Sequence, residues 1–149
     1  MINYLLKVLG TYKAFEWDVH VMHRMARGPI NGDFHLRMKD AYEYAQDVED
    51  DTAERIIQLH GEVPLKMCDV MEVSEIQFLD TIPDMQKCVE KAIELNSKII
   101  DMLTTGIKIA TGCDDYHTQK KLIDQLEWHN IFKRKLEMLL PKALPAKPE

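Results

Sequence analysis

The chain has 149 residues, 46% hydrophobic and 30% charged, with a formal net charge of -6. One domain with a substantial core fits that length. No apolar run approaches the about 18 residues a membrane helix needs, and the acidic balance disfavours general attraction to nucleic acid, whose phosphates are held by Lys and Arg.

Residues 2 to 26 place apolar side chains at Ile2, Leu5, Leu6, Val8, Leu9, Tyr12, Phe15, Val19, Met22 and Met25, close to the spacing of an amphipathic helix. Gly28-Pro29 ends it, and in the turn GPING either Asn31 or Asp33 is expected to cap the next helix. That second helix is predicted over 33 to 60, burying Phe34, Met38, Ala41, Tyr42, Ala45, Val48, Thr52, Ile56 and Leu59, with Gly61 stopping it. Residues 62 to 82 are less periodic, and Ser74 ahead of EIQFL is expected to cap a short helix across the middle of the fold. The third long helix is predicted over 84 to 109 and the fourth over 118 to 140, separated by TGCDDYHT and closed by Pro141. The domain is therefore expected to cover 1–140, with 141–149 a Pro-rich tail lacking a pattern of its own.

Four long helices with almost no strand signal imply an all-α four-helix bundle. The connection of about 22 residues between the second and third long helices is enough to cross the bundle and make them run parallel. The N-terminal stretch lacks the basic and long apolar regions of a signal peptide, so a cytoplasmic location is expected. Cys68, Cys88 and Cys113 are odd in number and without a CxxC arrangement, which suggests neither a disulfide framework nor a zinc knuckle.

The stretch from His23 to Glu54 carries two imidazoles, His23 and His35, and two carboxylates, Asp50 and Glu54, a ligand set for a first-row metal such as iron, manganese or zinc. Singly, the histidines would suit a turn and the carboxylates an exposed acidic face. On one helix His35 and Asp50 would lie roughly 22 Å apart at about 1.5 Å per residue, too far for one ion. Two copies packed antiparallel about a two-fold axis would bring histidines of one onto carboxylates of the other. Asp47 and Glu49 belong to the same acidic run, either near the ligands or as solvated surface. His20 faces the same way as His23, and His129 is expected to pack or hydrogen-bond inside the bundle.

The pattern resembles the Dps family of ferritin-like mini-ferritins. The resemblance rests on a His, a second His twelve residues later, an Asp fifteen further on and a Glu four beyond, in the setting Ala53-Glu54-Arg55-Ile56. Glu127-Trp128-His129 resembles the family's late D/E-x-H signature. Many members carry Trp after the first His, where this chain has Arg24. The resemblance implies a ferritin-like bundle with a short extra helix in the long crossover. It also implies ferroxidase activity at His23, His35, Asp50 and Glu54, with iron bound and peroxide or oxygen as acceptor. The implied partner is the chain itself, in a hollow dodecamer built from two-fold dimers, storing iron and protecting against oxidative stress. Asp114 and Asp115 would line an iron-entry pore. A lysine-rich N-terminal arm is absent from this sequence, so DNA binding is not favoured. The alternatives are a helical shell or interaction protein with little ferroxidase activity, a nucleoid DNA binder, and an atypical intrasubunit site built from Glu16, Glu90, Glu94 and Glu127.

Overall fold

The computed structural model describes residues 1–141. It contains five helices: α1 (Ile2–Met25), α2 (Asn31–Gln58), α3 (Met67–Glu72), α4 (Met85–Gly112) and α5 (Tyr116–Glu137). The four long ones are the expected four, shifted by a few residues at their ends. The tail beyond Pro141, with Lys142 and Lys147, lies outside the described residues.

α1 packs chiefly on α2, and α4 on α5, each pair antiparallel because its connection is short. Tyr4 Oη donates to the Met102 carbonyl at 2.6 Å, near one end of α1. Gly28, just past its other end, lies against Met85. α1 and α4 are therefore antiparallel, and α2 and α4 run parallel. The shared core takes Val8, Tyr12, Phe15, Val19 and Met22 from α1, with Phe34, Met38, Ala41 and Ala45 from α2. Val89, Leu95, Ile99 and Leu103 of α4 and Leu122, Phe132 and Leu136 of α5 complete it. Each large apolar side chain in that set stabilises the fold by about 1.5–3 kcal/mol relative to exposure.

The crossover follows the expectation in outline and departs from it in detail. Its short helix is α3, upstream of Ser74, and EIQFL is not helical. Ser74 Oγ accepts from the Ile76 amide at 3.0 Å, which closes a local turn instead of capping a helix. The Glu75 and Leu79 amides are taken by side chains of α1: Glu75 N–H donates to Thr11 Oγ1 at 3.0 Å and Leu79 N–H to Asp18 Oδ1 at 3.3 Å. Amides spent on a neighbouring helix are not available to an i to i−4 ladder.

Two cap assignments also change. α2 starts after Ile30 with no side-chain cap, so neither Asn31 nor Asp33 serves as one. Ile30 and Phe34 pack on the core there, and burial sets the start of the helix. At its other end the left-handed residue is His60 (φ 63°), not Gly61. Gly61 instead permits close approach, since a Cβ there would stand 2.9 Å from Ile2 Cγ2 and Ile56 Cγ2.

Candidate metal centre

The α1–α2 turn brings His23 and His35 together. Gly28 sits at φ 151°, where a side chain is disfavoured, and a Cβ on it would come within 2.6 Å of Met85 Cβ. The turn therefore folds tightly against the start of α4. Across it the two imidazoles stack with centroids 3.6 Å apart and planes 20° from parallel.

Each ring is held by the other residue's backbone. His23 Nδ1–H donates to the His35 carbonyl at 2.9 Å, and His35 Nδ1–H donates to the His23 carbonyl at 2.7 Å. A carbonyl oxygen only accepts, so both protons sit on Nδ1. In the neutral rings that leaves each Nε2 with its lone pair. This is the outer hydrogen bond that orients a metal-binding histidine. The contact has a second use, because the His23 carbonyl lies in the last turn of α1, where helix carbonyls lose their intrahelical partners.

Two further side chains wall the pair. Tyr42 stands edge-on to His23 at 5.2 Å and stacks on His20 at 3.9 Å. Arg24 is exposed and reaches back one turn, its Nη2 3.5 Å from His20 Nδ1. His20 Nδ1 is also 3.5 Å from Glu16 Oε1.

Asp50 and Glu54 are exposed on the outer surface of α2. α2 is one unbroken helix from Asn31 to Gln58, so Asp50 stands roughly 22 Å along the axis from His35. Among the described residues, no three His, Cys, Asp or Glu side chains of one chain gather where they could hold an ion. One chain thus presents two imidazole nitrogens at one end of α2 and two carboxylates at the other.

Glu49 and Asp115 have partners on other helices. Glu49 is not solvated surface: Lys13 Nζ lies 3.3 Å from its Oε2 and 3.2 Å from Glu16 Oε2. Burial pushes the Glu49 carboxyl up to about 7, against the opposing pull of Lys13. No motif announced this pairing, which joins residues 36 positions apart. Asp47 is exposed. Asp115 caps α5, accepting from the Thr118 amide at 3.0 Å, and pairs with Arg55 Nη2 at 2.8 Å. Its carboxyl is held below the usual range by the Thr118 and Arg55 hydrogen bonds, which outweigh burial. Asp114, at φ 55°, is exposed beside it and accepts from Tyr116 Oη at 3.0 Å.

The middle of the bundle is neutral. His129 is fully buried, with Nε2 2.8 Å from Tyr12 Oη and Nδ1 2.6 Å from Asn96 Oδ1. Burial pushes its imidazole down to about 3. The ring therefore donates from Nδ1 to Asn96 and accepts the tyrosine proton at Nε2. Glu90, Glu94 and Glu127 are exposed, and buried Glu16 is paired with Lys13, so these four carboxylates do not converge in the core.

This chain belongs to the ferritin-like domain family, whose sequence profile matches residues 9–142. Its relatives and structural neighbours include Dps proteins. It is 26% identical over 135 residues to DNA protection during starvation protein 2 of Bacillus anthracis, covering 87% of this chain and 90% of that protein. The fold is shared with Dps of Staphylococcus aureus (TM-score 0.90, 18% identity, 95% of each chain). It is also shared with Dps of Thermosynechococcus elongatus (TM-score 0.90, 20% identity, 95% of this chain and 90% of that one). Dps of Vibrio cholerae, described as a member of a broad superfamily of ferritin-like diiron-carboxylate proteins, has a TM-score of 0.87 at 18% identity, over 94% of this chain and 88% of that one.

Proposed function

We propose that this protein oxidises Fe(II) at sites shared between two copies of the chain and stores the Fe(III) product inside a closed homo-oligomer. The observation that carries the reading is the reciprocal hydrogen bonding of His23 and His35, which aims two free Nε2 atoms outward from one end of α2. The matching carboxylates lie at the other end of the same helix. An antiparallel copy would bring the partner's Asp50 and the partner's Glu54 onto those nitrogens, giving two identical sites per dimer. Leu36 and Ile57, each more than half exposed at 57% and 55%, lie on α2 near the two ligand sets. They are apolar surface that such a partner would cover.

Iron is the substrate. Two imidazoles and two carboxylates suit both its oxidation states and leave positions open for water and an oxidant. Peroxide or oxygen accepts the electrons, and consuming peroxide together with Fe(II) would protect a cell from oxidative damage. A dodecameric shell in the cytoplasm, with Asp114 at an entry pore, completes the proposal. DNA binding is left out of it, as the net charge of -6 argues against a general electrostatic hold on phosphates.

Subunit mixing tests the shared site. The His35→Ala and Asp50→Ala variants are each expected to be inactive as homodimers. In a mixed dimer both lesions fall on one site and the other is intact. Random reassembly of equal amounts makes half of the dimers mixed, so about a quarter of the wild-type Fe(II) oxidation rate should return. A mixture as dead as its parents sinks the shared site. A native mass equal to one chain does the same.

A further inference from the structure

A cleft between α1 and α3 is lined by the imidazole of His20, the thioethers of Met67 and Met71 and the indole of Trp17. α3 buries none of its residues completely, and Met67 and Trp17 are more than half exposed at 58% and 52%. Met67 and Met71 stand four positions apart and so share one face of α3. His20 is fixed by stacking on Tyr42 at 3.9 Å and 19°. Its two polar neighbours, Glu16 Oε1 and Arg24 Nη2, both stand 3.5 Å from Nδ1, which leaves Nε2 without a protein partner among the described residues. The segment after α3 is tied to α1, where the Glu75 amide donates to Thr11 Oγ1 at 3.0 Å. The cleft's carboxylate, Glu16, is already paired with Lys13 at 3.2 Å and accepts from Gln46 Nε2 at 3.4 Å. The donors left over are neutral, and two of them are sulfur.

We propose that this cleft binds Cu(I), with the sulfurs of Met67 and Met71 and Nε2 of His20 as ligands and the indole of Trp17 as an aromatic wall. Thioethers are soft donors that select Cu(I), whereas Mg(II) and Mn(II) want oxygen. Lys13 adds a second selection, because its ammonium repels a divalent ion about twice as strongly as a monovalent one. The indole attracts a cation that has shed its water. Free Cu(I), like free Fe(II), splits peroxide by one-electron transfer, so a site that withholds it would protect by binding alone. His20 and His23 have ring centroids 6.0 Å apart, yet the copper site uses none of His23, His35, Asp50 and Glu54. It stands independently of the ferroxidase reading.

The test is anaerobic competition for Cu(I) between the assembled protein and the chromophoric chelator bicinchoninate. Wild type should withdraw one Cu(I) per chain, and X-ray absorption at the copper edge should show sulfur as well as nitrogen neighbours. Met67→Leu/Met71→Leu nearly conserves volume and removes both sulfurs. It should weaken Cu(I) binding by more than about 100-fold, the upper end for losing an outer-shell partner, while its thermal unfolding stays that of wild type. His20→Gln should weaken binding in the same way. His23→Ala/His35→Ala should bind Cu(I) as wild type does. Failure of wild type to take up copper overturns the proposal, and is the result expected if a second copy covers the cleft. Copper neighbours that are nitrogen and oxygen alone overturn it too, as does undiminished binding by Met67→Leu/Met71→Leu. Loss of binding in His23→Ala/His35→Ala also overturns it, by handing the copper to the proposed iron ligands.

Discussion

His129 and the His23–His35 pair show how the same side chain is either used up inside the fold or left with a nitrogen free for a ligand. His129 is enclosed, and both of its nitrogens are spent on Tyr12 and Asn96. His23 and His35 are partly exposed or exposed, and each spends only Nδ1, on the other's backbone. Burial alone does not decide the matter. What decides it is whether the ring's one lone pair is left over and faces a place that another molecule can reach.

Breaking the proposed ligand pair should have the largest effect on binding. His35→Ala is expected to weaken Co(II) or Fe(II) affinity by more than the roughly 10- to 100-fold typical of losing an outer-shell partner. The melting temperature should change by only about 3 °C or less, as for a surface substitution. Calorimetry and thermal unfolding on the same sample check both halves.

His129→Ala should do the reverse. It opens a cavity and strands Tyr12 Oη and Asn96 Oδ1, at a cost of about 3 kcal/mol, while any folded protein keeps its metal affinity. The pH dependence has a definite sign. The folded value near 3 lies below the ordinary 6.5, so the stability linked to this group is present above about pH 6.5 and is lost as pH falls toward 3.

Asp18 sharpens the comparison, being a buried group that is only half partnered. Oδ1 accepts the Leu79 amide and Oδ2 has no partner. Burial pushes its carboxyl from 3.8 up to about 6. A raised acid contributes stability that is full below 3.8 and lost as pH rises through about 6. Asp18→Asn should therefore stabilise the protein at pH 7 by on the order of 2 kcal/mol and have no such advantage near pH 3, by urea unfolding at both values.

The smallest effect separates the two pore candidates. Asp115→Ala removes a cap and an ion pair and should cost about 1–2 kcal/mol. Asp114→Asn should stay within roughly 0.5 kcal/mol of wild type. If Asp114 lies in an entry path, its variant slows Fe(II) uptake all the same, as stopped-flow absorbance would show.

Much of this arrangement is legible in the sequence. Helix periodicity places the four long helices, and the run from His23 to Glu54 puts two imidazoles and two carboxylates too far apart for one chain. What stays hidden depends on contacts between distant residues. Ser74 followed by EIQFL has local helix-start chemistry, yet Thr11 and Asp18, more than sixty positions away, take its Glu75 and Leu79 amides. Asp115 reads as a neighbour of Asp114 in a loop, until Arg55 on another helix claims it. Glu49 reads as one of a row of acids, and nothing beside it in sequence announces Lys13. Gly61 reads as the natural helix stop, yet packing against Ile2 gives it a different use and leaves His60 in the left-handed position.

The way the crossover is held has a kinetic consequence. Its Glu75 and Leu79 amides find their acceptors on α1, not along the segment itself. It cannot acquire its shape as an autonomous unit, so in folding it must wait for a docked α1 to serve as a template. Amide hydrogen exchange at those two positions then reports when the crossover has docked on α1.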